Sequence, residues 1–219
     1  MQVQTTFPEP LVDPLPVTVA VHYRDALTQY SYSEELPADS VDWTFSIGPA
    51  NQLLFESIFG EVFDAAIPVQ ANTASGVSAV LEPNIEAFEF SLPRHSGSNQ
   101  YGVWIKYSIN VYAPDGELRT NWPVKGYGEV DSRRFKGNEK MRQATVLAMR
   151  DAATIIIESL DRDTAFRRAV IGKTGQDQVA AEAADVISIQ ETPEQPTSEV
   201  GRVEDQLPAI AGEELNGES

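Results

Sequence analysis

Cysteine is absent from all 219 residues, which removes disulfides, thiolate nucleophiles and cysteine-based zinc sites together. Histidine is scarce: His22 and His95 are the only two, and they form no His-x-x-x-His pair. No Asp-rich loop has the spacing of a calcium site. No run approaches the roughly 20 apolar residues that a membrane-spanning helix needs. The most apolar stretch, Ala152 to Ile157, contains Thr154 and is bounded by Asp151 and Glu158. Met1-Gln2-Val3-Gln4 carries neither the basic nor the apolar region of a signal peptide. Positive charge is also short, with 16 basic against 33 acidic residues and a formal charge of -17. Nucleic-acid phosphates would repel such a chain, so no nucleic-acid partner is expected.

What is present is an ordinary globular composition, 42% hydrophobic and 22% charged, at a length that suits one medium domain with extensions. Residues 1–16 hold Pro8, Pro10, Pro14 and Pro16, and proline fixes φ and removes an amide donor, so this segment reads as an extended tether. A first strand follows, where Val17, Val19 and Val21 alternate with Thr18, Ala20 and His22. Tyr30 to Tyr32 and Trp43 to Ile47 are shorter extended candidates. Gly48-Pro49 opens a helix, since proline loses nothing at the first helical position. Leu54, Ile58, Val62 and Ala66, with Phe55, Phe59 and Phe63 beside them, extend that helix to Ala66, where Pro68 would stop it. Val69 to Val80 is a strand or loop interrupted by Gly76.

The strongest alternation lies further on. Phe88, Phe90 and Leu92 alternate with Glu89 and Ser91. Tyr101, Val103, Ile105, Tyr107, Ile109 and Val111 then alternate with Lys106, Ser108 and Asn110. Pro114-Asp115-Gly116 is a turn, and the returning strand carries Leu118, Thr120, Trp122 and Val124 on one side, with Pro123 marking an edge or bulge. Gly126-Tyr127-Gly128 lacks the strand–loop–helix setting of a nucleotide site and marks a bulge or a close backbone approach. Asn138 caps a helix over 139–160, striped by Met141, Ala144, Ala148, Ala152, Ile155, Ile156 and Leu160. The expected fold is α+β: a mainly antiparallel open sheet in the order β-α-β-β-β-α, with two helices packed on one face, over residues 17–169. Residues 170–219 contain eleven acidic residues against Lys173 and Arg202, and no aromatic residue. Such a segment buries too little apolar surface to offset its ordering entropy, so a disordered acidic tail is expected.

Chemistry-bearing motifs are few. His95 beside Ser96 lacks an orienting third group and an oxyanion site, and reads as a surface loop. With 33 acids, no particular carboxylate pair stands out for acid–base work. No catalytic residue, metal or cofactor is therefore expected. Two surfaces are candidates for a partner. Trp104 and Tyr112 lie opposite the apolar side of their strand, with Trp43 and Trp122 expected nearby; there they form a second small core or an exposed contact patch. Arg133, Arg134, Lys136, Lys140 and Arg142 form a basic cluster around the start of the last helix, able to meet an acidic surface or a lipid phosphate, or to pair within the molecule.

The segments Val17-Thr18-Val19-Ala20-Val21-His22-Tyr23 and Ile47-Gly48-Pro49-Ala50 followed by Leu54-Phe55, together with the element order, resemble small accessory lipoproteins of the Gram-negative outer membrane. These include lipopolysaccharide-assembly lipoproteins and the auxiliary lipoproteins of ABC-type transport systems. The resemblance covers about residues 10 to 168 and has no diagnostic motif. It implies a non-catalytic domain that holds or assembles an envelope protein partner, in the periplasm and tethered to the outer membrane. It also implies lipid or lipopolysaccharide phosphate as a possible ligand of the basic cluster. The family pattern includes a signal peptide ending in a lipidated cysteine before a proline-rich tether; this chain starts at Met1 with neither, as though Met1 stood in the cysteine's place, and its contact with the membrane would be through that anchor alone. Two alternatives stay open: a cytoplasmic adaptor whose acidic tail recruits or masks a partner, and a hydrolase using two convergent acids in a concave pocket.

Overall fold

The computed structural model describes residues 1–3, 13–36, 41–134 and 137–172. Strand β1 (Leu15–His22) buries Leu15, Val17, Val19 and Val21 and is followed by a single helical turn, α1 (Asp25–Thr28). Strands β2 (Ser31–Leu36) and β3 (Val41–Ser46) pair as an antiparallel hairpin apart from the main sheet. Helix α2 (Gly48–Val62) then leads into β4 (Phe63–Val69), which lies parallel to β1. The hairpin and α2 supply the long crossover that parallel pairing requires. Strand β5 (Ala79–Ser91) takes the other side of β1, also parallel. After the helical turn α3 (Pro93–Ser96), β6 (Gln100–Tyr112) and β7 (Leu118–Asp131) complete an antiparallel meander. The five-stranded order is β4-β1-β5-β6-β7. Helix α4 (Gly137–Arg162) closes the layer, and a shorter helix, α5, spans 164–172. The α+β class, the mainly antiparallel sheet and the helices on one face agree with the sequence.

The expected order β-α-β-β-β-α is short by several elements. Helix α2 ends at Val62 rather than Ala66: Phe63 has extended geometry (φ -114, ψ 152), although its amide still donates to the Phe59 carbonyl. Residues 63–69 pair with β1 instead, Ala20 facing Ile67 and Val21 facing Pro68. The four-residue spacing of Phe55, Phe59 and Phe63 misleads because the Phe63 ring still packs on Phe59 across the helix–strand junction, centroids 6.0 Å apart. Pro68 is tolerated because β4 is an edge strand.

Both domain limits also move. At the N-terminus, the Ser46 amide donates to the Met1 carbonyl (2.9 Å), Gln2 bridges Ser46, and Val3 is buried, so residues 1–3 belong to the folded body and not to a tether. Leu15 already starts β1. The proline-rich residues 4–12 lie outside the described residues. At the other end, Val170 and Ile171 are buried, so the domain runs past residue 169. Asp163 breaks α4 and caps α5: its Oδ1 accepts from the amides of Ala165 (2.9 Å) and Phe166 (3.0 Å). Residues 173–219, which hold nearly all of the expected acidic tail, lie outside the described residues.

The core fills the space between the sheet and helices α2 and α4. Tyr107 is wholly buried and donates to Asn51 Oδ1 (2.6 Å), while Asn51 Nδ2 donates to the Ile47 carbonyl (2.9 Å). This pair pins α2 to β6 with each polar group satisfied. Burial drives the Tyr107 hydroxyl well above the usual tyrosine range. The hairpin seals one end with rings: Phe45 lies 4.7 Å from Phe88 and 5.1 Å from Phe90, and Trp43 stacks on Phe45 at 5.9 Å.

Helix α4 approaches β7 more closely than side chains would normally allow. A Cβ at Gly126 would sit 2.1 Å from the Ala148 carbonyl oxygen, and one at Gly128 would sit 2.2 Å from that of Ala144. The Gly-Tyr-Gly segment therefore marks a close backbone approach, and the alanine stripe of α4 supplies the matching flat surface. At the outer margin of β7, the Tyr127 amide donates to Asp151 Oδ2 of α4 (2.9 Å).

Candidate partner-binding face

The helices cover one face of the sheet, so the residues of opposite parity project from the other. From β6 these are Trp104, Lys106, Ser108, Asn110 and Tyr112; their register partners on β7 include Tyr127, Lys125, Pro123 and Asn121. Trp104 and Tyr127 face each other directly, ring centroids 4.9 Å apart and 32° from parallel. They are 43% and 40% exposed, well above the other tryptophans and most of the aromatic residues. The Tyr127 hydroxyl donates to Glu129 Oε2 (2.5 Å), and that bond holds its ionisation above the usual range.

Lys106 lies beside this pair and opposite Lys125, a like-charge pairing that is unfavourable by itself. A bulge in β5 between Ile85 and Ala87 brings Glu86 to Lys106 as an ion pair. Hydrogen bonds from Lys106 and Ser108 hold the Glu86 carboxyl below its ordinary range. Ala87, Glu89, Trp104, Lys106 and Lys125 enclose a shallow cleft of about 310 Å³. The face thus offers a flat aromatic platform ringed by charges of both signs.

Tyr112, the second aromatic expected there, is on the same face but eight residues along β6, about 27 Å away at the usual strand rise. It belongs to a separate polar network centred on Glu82, which is only 5% exposed. Glu82 Oε2 pairs with His22 Nδ1 (3.0 Å), and Oε1 accepts from Asn110 Nδ2 (3.2 Å) and the Tyr112 hydroxyl (3.4 Å), with Arg24 at 3.7 Å. Asn121 Nδ2 donates to Asn110 Oδ1 (2.6 Å) and extends the network to β7. Burial, then the charge of Glu82, raise the Tyr112 hydroxyl. The network ties β1, β5, β6 and β7 together across the uncovered face. Sequence reading missed it because residues 22 and 82 meet only through strand pairing, with no local spacing to join them.

Trp122, also expected in the contact surface, is in the core. It is 8% exposed on the helix-covered side of β7, its ring 4.0 Å from that of Phe166 on α5. Parity groups Leu118, Thr120, Trp122 and Val124 on one face of β7, and the register, which sets Trp122 opposite Ile109, makes that face the core side. Trp43 likewise packs with Phe45 and Phe90 on the core side.

Two cations of the basic cluster, Arg133 and Arg142, are paired within the molecule. Arg133 meets Asp131 through Nε (3.0 and 2.9 Å), a terminal nitrogen (2.5 Å) and its own amide (2.8 Å). Arg142 makes two bonds to Glu139 on the first turns of α4. Lys140 is buried and engaged. Lys136 and the side chain of Arg134 lie outside the described residues.

Arg133 holds the Asp131 carboxyl down to about 2, first through its side-chain hydrogen bonds and then through its amide. The carboxyl therefore stays ionised and paired as pH falls through 4, and the pair is lost only as pH approaches 2. An NMR titration of the Asp131 carboxyl carbon will show this depressed midpoint. Arg133→Ala will return it toward the ordinary aspartate value of roughly 3.9; an unshifted midpoint in the wild-type chain would refute the pairing in solution.

No family model matches the chain, and no curated protein matches it. Among solved structures, it is similar to a DUF330-family protein from Xanthomonas campestris, with a TM-score of 0.44 and 12% identity, covering 74% of this chain and 96% of that one. It is also similar to the rare lipoprotein B of Shewanella oneidensis, with a TM-score of 0.36 and 13% identity, covering 80% of this chain and 99% of that one. Among the described residues, no helix is long and apolar enough to cross a membrane.

Proposed function

We propose that this chain is a non-catalytic domain of a Gram-negative envelope lipoprotein, an accessory or assembly subunit that docks a protein of a transport or outer-membrane biogenesis complex. The observation that carries the reading is the Trp104–Tyr127 pair, held open on the face that no described helix covers. Exposed aromatic pairs with a charged rim are the anchors from which protein interfaces draw most of their affinity. The sequence resemblance supplies the class of partner and the periplasmic, lipid-anchored setting. The His22–Glu82 pair supports a scaffolding role, since its carboxylate is taken up by donors from neighbouring strands. Arg133 and Arg142 spend donors on Asp131 and Glu139, which leaves lipid or lipopolysaccharide phosphate as a secondary partner at most.

Site-specific photo-crosslinking in native envelopes tests this directly. A benzophenone side chain at position 104 is expected to capture one discrete envelope protein, and the same group at Leu53, exposed on α2, is expected to capture none. Trp104→Ala should weaken binding of the captured partner at least tenfold, the scale of an interfacial anchor worth about 2 kcal/mol. The reading falls if position 104 gives no adduct, or gives the same adducts as position 53.

A further inference from the structure

A second cleft lies at the opposite end of the sheet from Trp104, and we propose that it binds the charged ends of a short zwitterionic peptide. The cleft, about 560 Å³, is formed where Pro16, Val17 and Thr18 of β1, Asp64 of β4, the 76–78 loop, Pro114, Arg119 and the end of α5 come together. Its distinctive feature is a pair of opposite charges, Arg119 and Asp64, that do not pair with each other or with an opposite charge among the described residues.

Arg119 reaches across the sheet end from β7. One terminal nitrogen donates to two backbone carbonyls, Ser78 (2.8 Å) and Ala169 (2.8 Å), which fix the plane of the guanidinium. Its other donors have no protein partner among the described residues. Gly172 leaves the space that the guanidinium occupies: a Cβ there would lie 2.9 and 3.0 Å from its two terminal nitrogens, and the φ of +65 disfavours any side chain. A fixed, half-used guanidinium fork is suited to a carboxylate, which it can meet through two parallel bonds.

Asp64 stands on the other wall, exposed, at the point where the β1–β4 register shifts between Leu15 and Thr18. It has no ion pair with any described cation, Arg119 included. The two charges are held apart by the sheet itself. Asp64 lies on β4 and Ser78 leads into β5, with β1 between them, and the Ser78 amide donates to the Thr18 carbonyl (2.9 Å). Two strand spacings are about 10 Å. An extended chain covers roughly 3.3–3.6 Å per residue, so a tripeptide spans this separation, its carboxylate on Arg119 and its ammonium on Asp64. Thr18 and Ser78 line the cleft between them. A mono-charged ligand would leave one wall unmatched, which favours the zwitterion.

The probe is trialanine, titrated by calorimetry into the full chain alongside its N-acetylated and C-amidated forms. Zwitterionic trialanine is expected to bind saturably, and blocking either end is expected to weaken it at least tenfold. Asp64→Asn, an exposed change outside the core, should abolish the discrimination against the acetylated peptide while leaving the near-UV circular dichroism unchanged. Arg119→Lys keeps a cation at the end of α5 and should abolish discrimination against the amidated peptide. Absence of saturable trialanine binding to the wild-type chain overturns the proposal, as does equal affinity for blocked and free peptides. Either result leaves the Trp104 reading untouched, because that is tested at the other end of the sheet.

Discussion

Gly128→Ala lowers the unfolding free energy by about 3 kcal/mol, near the upper end of what overpacking a well-filled core usually costs. The added methyl carbon would start 2.2 Å from the Ala144 carbonyl oxygen and 2.4 Å from the Ala148 amide nitrogen. Neither neighbour is a side chain that can swing aside; both belong to the backbone of α4. The helix must lift from β7 as a body, and it carries Met141, Ala144, Ala148, Met149 and Ala152 out of contact with the sheet as it does so. Gly126→Ala is expected to behave alike, meeting the Ala148 oxygen at 2.1 Å. A surface glycine without such a neighbour, Gly60, is the control: its replacement meets nothing within 4 Å and lies in the last turn of α2, where alanine is the better helix former by up to roughly 1 kcal/mol. Urea titration decides the matter, with midpoints falling for Gly126→Ala and Gly128→Ala and rising for Gly60→Ala at a constant slope. Equal midpoints for all three would mean that α4 does not sit against β7 in this way.

Trp122→Ala is expected to cost about 3–5 kcal/mol, the range for deleting a large buried aromatic side chain. The ring is the floor on which α5 rests: it packs against Phe166 with centroids 4.0 Å apart, and Val170 and Ile171 follow Phe166 into the core. Losing it leaves a cavity that a helix of nine residues, fixed at its ends by the Asp163 cap and the Arg119 bond to Ala169, has little means to close. Hydrogen exchange should therefore quicken first over 164–172, ahead of α4. Trp104→Ala is the contrasting variant, since its ring is already half in water, and should change stability by only a few tenths of a kcal/mol up to about 1. If Trp104→Ala unfolds the chain and Trp122→Ala does not, the two faces of the sheet have been exchanged.

The parts of this fold that alternate cleanly in sequence are the parts that strand parity describes. β6 is the best case: Val103, Ile105, Tyr107, Ile109 and Val111 all point into the core, while Trp104 and Lys106 point away. Helix α4 reads nearly as well because its alanine stripe is regular over many turns, although Ile155, expected on that stripe, is exposed while Ile156 is buried. What escaped is set by contacts between distant segments. The end of α2 depends on β1 pairing with residues 63–69, a preference that no local window contains. Val3 falls in the expected tether, and α5 goes unread, with only its last residues, 170–172, in the expected tail, because few apolar residues surround them in sequence; each is held by one or two long-range anchors, Ser46 for the first and Trp122 for the second. At the candidate face, Trp104 was legible from parity alone. Tyr127 was hidden between two glycines that drew attention to the backbone, and Trp122 was misplaced because parity says which residues share a face without saying which face the helices take. The charge cluster at 133–142 looked like a basic surface because its partners, Asp131 and Glu139, are also close in sequence and were too few to cancel it by count.

The Asp151 carboxylate has a further consequence. The outward-pointing amide of Tyr127 is a docking point that an incoming strand would need, and α4 has already filled it. Two positions of the same parity earlier in β7, Pro123 has no amide hydrogen to offer. A foreign strand approaching this margin therefore meets one occupied donor and one missing one, which disfavours runaway polymerisation along that side and leaves lateral growth of the sheet, if it is used at all, to the flank where β4 runs.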